Sequence, residues 1–134
     1  MKIAKTVLLT ALLAAGLACG GYNSNSTQNT PPGPGTMPNI TALAPNSANS
    51  PGAAFVLTVN GTNFNTTATI NWNAAAQATT KYVSTNQLTV TIPASDVATP
   101  GTATVTVTNP AVAGGRYGGG TLAETSNSMT FTIN

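Results

Sequence analysis

From residue 39 onward, hydrophobic and polar positions alternate with a period of two, in short runs broken by turn residues. "NITALAP" reads as a first strand closed by Pro45, and "AFVLTVNG" sets Phe55, Leu57 and Val59 against Val56, Thr58 and Asn60. "ATINW" places Ile70 and Trp72 on one face, and "TTKYV" is a shorter run of the same kind. "QLTVTI" alternates Leu88, Val90 and Ile92 with threonines until Pro93, and "TATVTVTN" sets Val105 and Val107 against Thr104, Thr106 and Thr108. "MTFTIN" closes the chain with Met129, Phe131 and Ile133 on one side. Such alternation buries one face of each strand and leaves the other to solvent. About seven strands in roughly a hundred residues, with no helical period, predict an all-β sandwich. Threonine suits the outer face, because it is β-branched yet polar.

The first part of the chain follows a different rule. In "MKIAKTVLLTALLAAGLAC", Lys2 and Lys5 precede an apolar run over 7–17, and Gly16 and Ala18 stand at −3 and −1 to a cut before Cys19. That is the three-part order of an export signal, and a run of about a dozen residues falls short of the ~20 that span a bilayer. "GGYNSNSTQNTPPGPGTMP" then has no periodicity and too little apolar surface to offset its chain entropy. The expected organisation is a signal peptide over 1–18, a flexible linker over 19–37 and one domain over 38–134.

Composition narrows the chemistry. Charged residues are 4% of the chain, where about a quarter is usual. The net charge of +2 belongs to Lys2 and Lys5, since Lys81 and Arg116 balance Asp96 and Glu124 in the remainder. No basic patch is left to neutralise phosphates, so no nucleic-acid partner is expected. The chain has no histidine and a single cysteine. Ser–His and Cys–His nucleophiles are thereby excluded, as are the usual zinc sites. "GGRYGGG" lacks the G-K-[ST] ending of a phosphate loop. No cofactor or metal is expected, and no enzymatic activity. A hydrolase, as a remote alternative, would have to use Asp96 and Glu124, the only acidic side chains.

Two resemblances add to this. The segment ending at Cys19 resembles a bacterial lipoprotein signal. The resemblance implies a diacylglyceryl group on the Cys19 sulfur, cleavage before it, and a membrane partner held through that lipid. Gly20 follows Cys19 where an Asp would imply inner-membrane retention, so the outer membrane or cell surface is the expected place. Gly16-Leu17-Ala18 also suits an ordinary signal peptidase, and without the lipid the protein would be secreted.

"PNITALAPNSANSPGAAFVLTVNGTNF" resembles the opening of an IPT/TIG domain, an immunoglobulin-like sandwich. Pro38, Ile40, Leu43 and Pro45 match its first motif, and Gly52, Leu57, Val59, Gly61 and Phe64 its second. The resemblance implies a spacer or a recognition unit for proteins or glycans. Gly61 is expected to supply a turn with positive φ, letting Phe64 fold back into the core. Trp72 is expected in the core beside Ile70. Candidate ligand contacts are Tyr82, and Arg116 and Tyr117 in the glycine-rich stretch of a long last loop, 110–128. They support an alternative function in which exposed aromatics and that loop bind carbohydrate. Low charge, with only Pro45, Pro93 and Pro100 to guard strand edges, adds lateral self-association as a further expectation.

Overall fold

The computed structural model describes residues 31–116 and 118–134. The export segment, Cys19, the first part of the linker and Tyr117 lie outside the described residues. In chain order the strands are β1 (Asn39–Ala44), β2 (Ser47–Ala48), β3 (Phe55–Thr62), β4 (Thr69–Trp72), β5 (Ala75–Ala76), β6 (Lys81–Ser84), β7 (Gln87–Ile92), β8 (Gly101–Asn109), β9 (Glu124–Thr125) and β10 (Met129–Ile133). One turn of 3-10 helix, Ala94–Val97, lies between β7 and β8.

The strands form two sheets, one ordered β1-β3-β7-β6 and the other β2-β10-β8-β4-β5, with β9 also on β8. The first sheet is antiparallel throughout. In the second, β2 runs parallel to β10. The chain thus begins in one sheet as β1, turns at Pro45 and Asn46, and continues as β2 on the edge of the other. A first strand split between sheets and long crossings between them give the immunoglobulin-like sandwich predicted from the sequence.

The inward positions of six of the seven alternating runs meet in one core, and β6 lies on its edge with Lys81, Tyr82 and Val83 exposed. Leu57, Val59, Ile70, Leu88, Ile92, Val105, Val107 and Phe131 are all fully buried. Phe131 joins the layers: its ring stacks on Phe55 of the first sheet at 5.5 Å and meets Trp72 at 5.1 Å. Burying a ring of this size is worth about 2–3 kcal/mol. All seven expected strands are present, and β2, β5 and β9 are two-residue additions.

Strand direction gives the sandwich two poles. β8 runs from Gly101, which pairs with Ile133 near the C-terminus, to Asn109, which pairs with Glu124. Asn39 and Thr62 pair at the Asn109 end, so the N-terminal segment enters there. We call this end the tether pole; the β7–β8 connection and Asn134 lie at the other.

Candidate functional site

The tether pole gathers most of the side-chain-to-backbone bonds that cross between elements, and Asn109 is at its centre. As the next inward position after Ala103, Val105 and Val107, Asn109 is 2% exposed, and it is the only buried polar side chain among the described residues. Its Nδ2 donates to the carbonyls of Thr36 at 2.7 Å and Asn63 at 2.8 Å, and its Oδ1 accepts the Asn65 N–H at 3.0 Å. One amide thereby fixes the incoming chain and the β3–β4 loop to the end of β8. With every polar atom paired, it avoids the cost of burying an amide.

Residues 33–36, at the end of the expected linker, lie against the last loop. The Gly33 N–H donates to the Gly120 carbonyl at 2.9 Å and the Leu122 N–H to the Gly33 carbonyl at 3.0 Å. The Gly35 N–H also donates to Glu124 Oε1 at 3.2 Å. A Cβ on Gly35 would lie 2.4 Å from the Leu122 carbonyl oxygen, so only glycine lets the segment lie this close. The proline-rich end of the tether is a strap across the last loop.

That loop is structured in turn. Val112 and Thr121 exchange backbone hydrogen bonds at 3.0 and 2.9 Å, and the Gly118 N–H donates to the Gly115 carbonyl at 3.0 Å. The described residues from 111 to 123 thus form a hairpin whose root carries the strap. Arg116 is exposed on it.

The β3–β4 corner corrects the expectation for Gly61. The positive φ falls on Asn63, at 61°, and not on Gly61. Gly61 is required for a different reason: a Cβ there would lie 2.0 Å from the Asn39 carbonyl oxygen and 2.5 Å from Phe64 Cζ. Glycine lets β1 and the Phe64 ring close on β3 from two sides. Phe64 is buried, and its N–H donates to the Thr85 carbonyl at 2.9 Å.

The remaining candidates do not converge. Trp72 is buried against Phe131 and offers no face to a sugar ring. Tyr82 sits on edge strand β6, partly exposed, opposite Leu88. Its strand borders a shallow groove lined by Val56, Thr79, Lys81, Thr89, Val90 and Thr91. Arg116 is on the hairpin that follows β8 of the other sheet, so Tyr82 and Arg116 do not share a site. Tyr117 lies outside the described residues. Of the aromatics that the carbohydrate alternative needs, Trp72 is thus removed.

Asp96 lies in the 3-10 turn before β8, and Glu124 pairs with the last residue of β8. The length of β8 between them is roughly 25 Å, whereas a glycosidase pair stands about 5–10 Å apart. The two carboxylates cannot flank one bond, which overturns the hydrolase alternative as framed. Among the described residues no group of three His, Cys, Asp or Glu side chains is placed to hold a metal ion.

Asn109, Asn127 and the strap were not singled out in the sequence. Asn109 was legible by parity alone, as the fourth inward position of β8.

Comparison with known families matches residues 38–133 to the IPT/TIG domain. A search of curated proteins finds no match.

Proposed function

We propose, for a chain that belongs to the IPT/TIG family of immunoglobulin-like domains, that it is exported and held to the cell envelope by lipid on Cys19. There it presents one sandwich as a non-catalytic structural or binding module. The family and fold support a structural or binding role. The observation that carries the anchoring is the position of the single cysteine, at the exit of an apolar run that follows two lysines. An exported thiol with no partner is an oxidation and cross-linking liability, and acylation removes it. Two or more acyl chains give a stable anchor where one gives marginal binding.

Gly20 in place of an acidic residue favours the outer membrane or cell surface. The binding partner, if any, would be a protein or a glycan. Cell fractionation tests the reading: the native protein stays with membranes through a high-salt wash, and Cys19→Ser moves it to the soluble fraction. A native protein that is already soluble would refute the anchor.

A further inference from the structure

We propose that the hairpin 111–123 seats on the lipid surface, so that the domain rests tether pole down instead of swinging at the end of its linker. The inference rests on the lipid-anchor reading above and adds an orientation and a contact surface to it. Its first support is composition. "AVAGGRYGGGTLA" carries one charge, Arg116, and no carboxylate, and apart from Thr121 its remaining described residues are alanine, glycine, valine and leucine. Hairpins that project into water normally carry charged or polar side chains.

Its second support is exposure. Val112 is 55% exposed and Leu122 53%, and Met37, beside the strap at the same pole, is 62% exposed. They make up half of the large hydrophobic side chains exposed among the described residues, the others being Val56, Tyr82 and Val83. Scattered apolar residues need no explanation, but a cluster at one end of a molecule marks a contact surface.

The third support is where the rest of the chain begins. The strap ties Gly33 to Gly120 and Leu122, so the linker leaves the domain from the root of this hairpin. Fourteen residues of chain separate Cys19 from Gly33, a reach of at most about 50 Å. Lipid on Cys19 would therefore hold this pole near the membrane at an effective concentration of about millimolar, where a weak apolar contact is populated. The surface and the anchor point the same way.

The chemistry suits the headgroup boundary, not the hydrocarbon interior. The paired backbone of Val112, Thr121, Gly115 and Gly118 enters it without stranding those groups. The Val112–Thr121 pair sets Val112 and Leu122 on opposite faces at the root of the hairpin, so both are covered only when the hairpin enters the surface as far as its root. Arg116 meets anionic headgroups, and the one carboxylate nearby, Glu124, is engaged with Gly35.

Hydrogen–deuterium exchange tests this on the chain from Cys19 onward, which carries the linker and every strand. One sample is coupled through Cys19 to a maleimide lipid in vesicles of phosphatidylethanolamine and phosphatidylglycerol; the other is capped with N-ethylmaleimide in solution. Seating slows exchange across 111–123 by about fivefold or more on vesicles and leaves 93–100, at the far pole, unchanged. Val112→Asp/Leu122→Asp abolishes the slowing while β3, β7 and β8 stay protected. Arg116→Glu weakens it on these vesicles but not on neutral phosphatidylcholine.

Equal exchange of the hairpin in both samples would overturn the proposal. So would slowing that arises in solution as the protein is concentrated, which would assign the surface to a second copy. Because the coupling is chemical, neither result depends on whether cells lipidate Cys19.

Discussion

The side-chain amide of Asn127 pairs with the peptide of Ile40 as a neighbouring strand would. Its Oδ1 accepts the Ile40 N–H at 2.8 Å, and its Nδ2 donates to the Ile40 carbonyl at 3.0 Å. Ile40 belongs to β1 of the first sheet, and Asn127 lies between β9 and β10 of the second. The pair therefore joins the sheets at the tether pole. It sits where the β1–β3 register shifts, between Ile40 and Ala42. The adjacent Ser126 does the same for β8, its Oγ accepting the Val107 N–H at 2.9 Å. Side chains here complete ladders that the backbone leaves open.

Asn127→Ala should lower stability by about 1–3 kcal/mol, because both Ile40 groups lose their partner in a part-buried position. Urea denaturation would show it as a lower midpoint with an unchanged slope. An unchanged midpoint would mean that water replaces the amide at no cost.

Asn109→Leu keeps the volume but strands the Thr36 and Asn63 carbonyls and the Asn65 N–H. At about 1–3 kcal/mol for a stranded group, less what water recovers, the expected loss is about 3 kcal/mol. The amides of 33–36 should also exchange faster than in the native protein, since the strap loses its inner attachment. A fully stable variant with an unchanged strap would show that Asn109 is not the node described.

Gly61→Ala should cost about 1–3 kcal/mol through overpacking, because the added Cβ meets the Asn39 carbonyl and the Phe64 ring. Amide protection should fall first in β1, the strand that must move away. Asn63→Gly, two residues on, should be nearly neutral, since it leaves the positive φ satisfied. If Gly61→Ala were neutral and Asn63→Gly costly, the corner would depend on the Asn63 side chain, whose Nδ2 donates to the Met37 carbonyl at 3.2 Å, and not on the close approach at Gly61.

The β4–β5 hairpin turns through Asn73 and Ala74, at φ 48° and 67°. Two successive positive φ values are a type I′ requirement, which Asn-Gly meets best. An alanine there carries about 1–2 kcal/mol of left-handed strain, against about 0.5–1 kcal/mol for the greater chain entropy of glycine. Ala74→Gly should therefore raise stability by about 0.5–1 kcal/mol, read as a higher melting temperature. Ala74→Val should lower it.

The long strands were legible because their period of two is imposed by burial. Phe55, Leu57 and Val59, or Leu88, Val90 and Ile92, face inward for the reason that places them in sequence. The two-residue strands carry no period, so β2, β5 and β9 could not be seen. Asn109 was hidden by its chemistry: an asparagine beside Pro110 reads as a turn, although its parity puts it in the core. The strap was hidden because the composition of "PPGPG" describes a chain in isolation. Its docking depends on Gly120, Leu122 and Glu124, about ninety residues away. Candidate contacts taken from residue type alone, Tyr82 and Arg116 among them, did not share a site because nothing in a sequence period brings them together.

The N-terminus of the mature protein decides whether the domain is anchored by lipid. Intact-mass and peptide mass spectrometry of the protein from its native membrane should find Cys19 as the first residue, with a diacylglyceryl group on its sulfur. A chain that begins at Cys19 with an unmodified thiol, or that still carries Met1, would contradict the anchor.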